Sequence, residues 1–293
     1  MSDGRPFSNC ILDLAPPDIA WFRERSDIIL VPIGSCEQHG AHLPIGTDTI
    51  TALEVARRAA EKADVPYTAP FWAGYSPQHM RETESSVGTI TLRAETLNAV
   101  LYDILRSLIH HGWNKLILVN GHGSNVKVLD PLLRRIKYET GALVALYKPY
   151  AERYIGMLKD VLEGPPTETP GWHAGELETS QCLAHNPNLV RLERAAVDKA
   201  EAPKWLGEAW GKKDGMPDAE FQGYQYFNFP FEHAEFTSSG VMGNPHRGTA
   251  EKGEVAFNRF ANHLIDAVHE LEKVDLKITN RDFTVGKAMR PGF

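Results

Sequence analysis

The chain has 293 residues, 42% of them apolar and 24% charged, with a formal net charge of −7; it can bury a full core as one large domain. That charge argues against nucleic-acid binding, which needs a basic footprint. No apolar run reaches the roughly 18 residues of a membrane span. Three cysteines, Cys10, Cys36 and Cys182, show no CxxC spacing, so neither a disulfide framework nor a thiolate zinc site is expected. The start "MSDGRPFSNC" has no charged segment followed by an apolar block, so no secretory signal is read and a cytoplasmic location is expected.

In chain order, "DIILVPIG" (27–34) reads as a buried strand and "TALEVARRAAEKA" (51–63) as a helix with apolar positions three and four apart. "VPYTAP" (65–70) is a second strand candidate. "AETLNAVLYDILRSLIHHG" (94–112) is a helix stopped by Gly112. "KLILVN" (115–120) is a strand, "NVKVLDPLLRRIKYET" (125–140) a helix and "ALVALY" (142–147) a strand. The alternation predicts an α/β fold: a single layered domain with a mostly parallel central sheet flanked by helices. Residues 203–236 are rich in Trp, Tyr and Phe but show little periodicity, so they are read as an irregular segment covered by their own core, a substrate or another subunit. A closing amphipathic helix is expected over 248–274. The domain is placed at 1–275 and a polar tail at 276–293.

Three polar stretches fall at the ends of these elements, where α/β sheets keep their ligand sites. "PIGSCEQHGAHLPIGTDT" (32–49) leaves the first strand carrying Glu37, His39, His42 and Asp48. In extended backbone Glu37 and His39 point the same way, so a carboxylate and an imidazole can face one cavity. Asp48 stands where a helix begins, a place that also suits an N-cap. "NGHGSN" (120–125) follows the 115–119 strand, and Gly121 and Gly123 permit tight backbone around His122. It lacks the Lys-Ser/Thr of a phosphate loop. "GWHAGELETS" (171–180) opens a helix near Ala174; His173 and Glu176 share a face, while Glu178 reads equally well as compensation of the helix dipole or a salt-bridge partner.

Glu37, His39, Asp48, His122 and Glu176 are oxygen and nitrogen donors without thiolate, a set that suits Zn²⁺, Mn²⁺ or Fe²⁺. Three carboxylates balance two divalent ions better than one, and a short Asp suits bridging; one ion with four ligands is the simpler arrangement. The fifth position stays open between Glu176 and Glu178. His42 is read as support for the ligands. His173 is the candidate proton carrier, and with Glu176 forms the expected catalytic pair. His79, Trp172 and Ser124 are candidate substrate contacts; a surface histidine and a core tryptophan are the plainer readings of the first two.

"PIGSCEQHGAHLPIGTDT", "NGHGSN" and "HAGELETS", in this order and spacing, resemble the creatininase family over nearly the whole chain, through "GNPHRGTAEKGE" (243–254). The resemblance implies an α/β domain, two divalent ions and hydrolysis of a cyclic amide-like, formamide or cyclic ketone substrate by metal-activated water. It maps Glu37 to one ion, His39 to the other, Asp48 to the bridge and His122 to an ion. It also implies a homo-oligomer, a hexamer among the possibilities. Creatininase itself carries an aromatic residue and a glutamate ligand where this chain has Gly123 and Ser124, so creatinine is not expected as the substrate, and Glu176 is inferred to supply the missing carboxylate. A non-catalytic binding protein on the same scaffold and a metal-dependent aldolase or isomerase are the rival readings.

Overall fold

Alternation along one strand divides the core. In the computed structural model, which describes residues 4–81, 87–151, 156–169 and 171–283, strand β1 (Ile28–Ile33) sends Ile28 and Leu30 to one face and Ile29, Val31 and Ile33 to the other. The first face packs on helices α2 (Thr47–Ala63), α5 (Glu176–His185) and α7 (Ala250–Glu272), through Val55, Leu177, Phe257 and Phe260. The second packs on α3 (Ala94–His110) and α4 (Val126–Thr140), through Leu101, Leu105, Leu129 and Ile136, and on Phe22 of α1 (Pro16–Arg23). Burial on both faces is why β1 and β2 (Lys115–Asn120) read as unbroken apolar runs. With β3 (Leu143–Tyr147) they form a parallel sheet in the order β1-β2-β3, Ile33 beside Asn120.

Several expectations shift. The segment 65–70 makes only isolated bridges, Tyr67 to Leu30 and to Cys10, with Phe71 bridging to Ile33. Pro66 and Pro70 remove ladder donors there. Helix α2 begins at Thr47, four residues early, so Asp48 lies inside its first turn. The aromatic segment is not irregular throughout: β4 (Trp210–Gly211), β5 (Asp218–Phe221) and β6 (Tyr224–Asn228) form an antiparallel sheet. A register shift between Ala219 and Phe221 breaks its period, and its hairpin turns on Gln222 and Gly223, both at positive φ, where Asn-Gly would have been the recognisable signal. Helix α6 (His233–Phe236) follows. The described part of the expected tail is docked: Thr279 donates its N–H to the Thr140 carbonyl at 2.8 Å, and Arg106 donates to the carbonyls of Asn280 and Asp282. The rest, 284–293, lies outside the described residues. Among those described, no helix is long and apolar enough to cross a membrane.

Candidate metal centre

Two glycines let the sheet end and a helix start meet. A Cβ on Gly34, just past β1, would strike the backbone of Thr49, and one on Gly121, just past β2, would strike the Asp48 carbonyl. With hydrogen in both places, the first turn of α2 seats against the carboxyl ends of β1 and β2, delivering Asp48 between the loops that carry Glu37 and His122.

Among the described residues four groups of three donors form, and two of them share Asp48. Glu37, Asp48 and His122 form one, and His39, Asp48 and Glu178 the other; Glu37, His39 and His173, and His79, His173 and His233, are the remaining two, and within each group the donor atoms lie within 4.8 Å of one another. His122 Nδ1 is 3.0 Å from Asp48 Oδ2, and His39 Nε2 is 3.2 Å from Asp48 Oδ1 and 3.4 Å from Glu178 Oε2. Each ring has one nitrogen on a backbone carbonyl. His39 Nδ1 bonds the Glu37 backbone carbonyl at 3.0 Å, leaving Nε2 toward the carboxylates, and His122 Nε2 lies 3.0 Å from the Tyr75 carbonyl, 3.0 Å from Ser76 Oγ and 3.4 Å from Glu37 Oε2, leaving Nδ1 toward Asp48. A backbone acceptor that fixes the tautomer in this way is how metal-binding histidines are held. Glu37 Oε2, His39 Nε2 and Asp48 Oδ2 are buried and have no aligned hydrogen-bond partner. Buried polar atoms left so are costly, and a divalent cation in each set would satisfy all three.

The electrostatics agree with a site short of positive charge. Burial disfavours the charged form of His39, but Asp48 and Glu178 outweigh it and push its pKa up to about 10. His122, likewise buried, is raised to about 9 by Glu37 and Asp48. Burial works against the Asp48 carboxylate, yet the two imidazoles bring it down to about 2. Glu178 is pushed up to about 7, chiefly by burial, and Glu37 is raised for the same reason. The protein without a cation thus traps protons where a cation would stand.

Glu176 is not in the centre. Its Oε1 takes the Lys252 ammonium at 2.6 Å and the Glu163 N–H at 2.8 Å, and its Oε2 takes the Gly164 N–H at 2.8 Å. It therefore ties the start of α5 to α7 and the 163–164 loop, and neither its expected ligand role nor its catalytic role has support in this geometry. Helical geometry explains the exchange: α5 begins at Glu176 rather than at Ala174, and a residue two positions on points to a different side. Glu178 turns back, accepts the Ala174 N–H at 2.6 Å, and holds Ala174 in left-handed backbone at φ 56°, a strained state for a residue with a Cβ. His42 bonds Thr179 Oγ1 at 3.1 Å, steadying the residue after Glu178.

The centre floors a cavity of about 860 Å³. His79, Trp172 and Ser124 all line it, as do His173, Phe229 and Lys127. His79 is 5% exposed rather than a surface residue. His173 packs against His39 with the rings tilted by 32° and their centroids 4.2 Å apart, and its Nδ1 is 3.4 Å from Glu37 Oε1. Burial, then the neighbouring His39, His233 and His79, hold it well below the usual histidine range. Two participants escaped the sequence reading. Gln38 sits between the two named residues of the Glu-x-His pair, and by strand alternation alone would face away; His233, whose Nε2 is buried and unpartnered in the cavity, lies in the aromatic segment with no pattern to mark it.

An α/β sheet whose strand ends carry a shared-aspartate cluster of histidines and carboxylates defines the general class. The model of the family described as "Creatininase: Creatinine amidohydrolase" matches residues 13–268, and the chain belongs to the creatininase family. It is 29% identical to the creatinine amidohydrolase of Pseudomonas putida, over 83% of this chain and 89% of that protein. It is 30% identical to the 3-dehydro-scyllo-inosose hydrolase of Thermotoga maritima, covering 85% and 78%. It is 32% identical to the mycofactocin precursor peptide peptidase of Mycobacterium tuberculosis, covering 83% and 85%. Among solved structures it is similar to a creatinine amidohydrolase (TM-score 0.69, 25% identity, 92% of this chain and 100% of that one). It is also similar to a creatininase titled as the Mn form (TM-score 0.68, 25% identity, 91% and 100%).

Proposed function

We propose that this member of the family is a hydrolase that uses two divalent cations, one held by Glu37, Asp48 and His122 and one by His39, Asp48 and Glu178. The observation that carries the reading is the pair of donor sets sharing Asp48, in which Glu37 Oε2, His39 Nε2 and Asp48 Oδ2 are buried without a hydrogen-bond partner. Zn²⁺, Mn²⁺ and Fe²⁺ suit the donors. Bound there, such ions supply Lewis acidity and bring the pKa of water toward about 7. The remaining chemistry belongs to side chains. His173, neutral and lining the cavity beside His39, is the proposed proton carrier between the attacking water and the leaving group. Trp172, Phe229, Phe231 and Phe236 exclude water around an apolar ring or chain, and His79 and Ser124 offer polar contacts at the cavity wall.

The substrate is proposed to be a cyclic amide, a formamide or a cyclic ketone. A Cβ on Gly123 would meet nothing within 4 Å, so the position where the resemblance places a bulkier residue in creatininase leaves the cavity open. Creatinine is therefore expected to be a poor substrate. A panel of lactams, cyclic ureides, formamides and cyclic ketones, assayed with Mn²⁺ or Zn²⁺ restored, tests the reading. Creatinine turned over with kcat/KM of about 10⁴ M⁻¹s⁻¹ or more, within the ordinary enzyme range, would reverse it. A cytoplasmic homo-oligomer is part of the same proposal. The exposed rings of Trp205, Tyr224, Tyr226 and Phe227 support self-association, and light scattering tests it.

A further inference from the structure

We propose that Gln38 is a positioning residue: its side-chain amide fixes which ring nitrogen of His79 and of His173 carries the proton, so that both rings turn an N–H toward one oxygen of Glu37. Gln38 is buried, and its amide cannot be turned either way at no cost. The Gly40 N–H donates to Gln38 Oε1 at 2.9 Å, which sets the opposite end as the NH₂ group. That nitrogen lies 3.0 Å from His79 Nδ1 and 3.1 Å from His173 Nε2.

An amide NH₂ has two protons and no lone pair to offer. Both ring nitrogens facing it must therefore accept, and in a neutral imidazole the proton then sits on the other nitrogen. For His79 that is Nε2, and for His173 it is Nδ1. These two atoms stand 3.2 Å and 3.4 Å from the same atom, Glu37 Oε1. One glutamine thus imposes opposite tautomers on two histidines and aims both at one carboxylate oxygen.

The consequence reaches the metal centre. Glu37 Oε1 has the two ring nitrogens within 3.4 Å, while Oε2, the buried atom without a partner, is the one left for a cation. Metal-ligating carboxylates are ordinarily hydrogen-bonded in turn, and loss of such outer support typically costs about 10–100-fold in metal affinity or activity. The clamp also argues against a further cation on the neighbouring His79, His173 and His233 donor group: Gln38 already occupies a lone pair on the first two. Its effects on metal affinity and turnover rest on the hydrolase reading; the tautomers are a property of the protein itself.

The test is nitrogen-15 NMR of histidine-labelled full-length protein, with and without Mn²⁺-free Zn²⁺ loading, the two resonances assigned by His79→Asn and His173→Asn. The inference predicts Nε2–H on His79 and Nδ1–H on His173. Gln38→Glu replaces two donors with acceptors and should move the protons to His79 Nδ1 and His173 Nε2. Gln38→Met, similar in shape, should release the constraint and lower Zn²⁺ affinity or kcat by about 10–100-fold. Identical tautomers on both wild-type rings, or wild-type tautomers surviving in Gln38→Glu, would overturn the proposal. Should Gln38→Glu fail to fold, the wild-type spectrum alone decides. Correct tautomers in a protein that hydrolyses nothing would refute the proposed activity and leave the clamp standing.

Discussion

Exchanging Glu176 and Glu178 for glutamine, one at a time, separates the proposed ligand from a structural carboxylate two residues away. Glu176 is fully buried and receives three donors: the Lys252 ammonium and the N–H groups of Glu163 and Gly164. A glutamine keeps the shape but only one accepting oxygen, so at least one donor then meets the new NH₂. Breaking a buried pair costs about 3–5 kcal/mol. The lower end applies, because Lys252 also keeps Glu163 Oε1 at 2.9 Å. At roughly 2–3 °C per kcal/mol for a chain of this size, the melting temperature of Glu176→Gln should fall by roughly 6–9 °C, with metal content per folded chain unchanged. Glu178→Gln should do the reverse. Burial has already pushed this carboxyl up to about 7, so a neutral amide in its place costs the metal-free protein little, while one of the two cations loses a ligand and stoichiometry falls toward one. Calorimetry and elemental analysis on the same preparations read both quantities. A Glu176→Gln protein that melts normally but arrives short of metal would refute the assignment.

Asp48→Asn should lose both cations together, as elemental analysis would show, because it belongs to both donor sets; loss of one alone would contradict sharing. Cation uptake near neutral pH should expel protons from His39 and His122, whose values stand at about 10 and about 9, so affinity should rise with pH up to that range; titration calorimetry in buffers of different ionisation enthalpy measures the proton count. The same raised values stabilise the metal-free protein below the ordinary histidine value of about 6.5 and release that stability as pH climbs through the folded values, so its melting temperature should be lower near pH 10 than near pH 7. His173→Asn should reduce kcat by about 10²–10⁴-fold with metal content unchanged; a variant arriving with half its metal would make His173 a ligand.

The buried sheet was legible because β1 and β2 are apolar on both faces, a pattern that survives without knowledge of partners. Four residues of the candidate centre could be singled out too: Glu37, His39 and His122 lie in the loops that leave those strands, and Asp48 in the first turn of the helix after the first loop. The fifth could not, because the phase of α5 depends on where its first turn closes, and Glu178's return to the Ala174 N–H is set by one left-handed residue that no spacing rule anticipates. The small sheet at 210–228 was hidden by a register shift and a Gln-Gly turn. Gln38 shows a different limit. Read as a regular strand, it belongs on the side opposite Glu37 and His39, yet the loop bends and brings its amide between His79 and His173.

The central claim is that two cations share Asp48, and a crystal structure of the metal-loaded protein, with anomalous scattering recorded at the edge of the restored metal, tests it most directly. Two anomalous peaks are predicted, one contacted by Glu37, Asp48 and His122 and the other by His39, Asp48 and Glu178. A single peak, or a peak coordinated by Glu176, would contradict it.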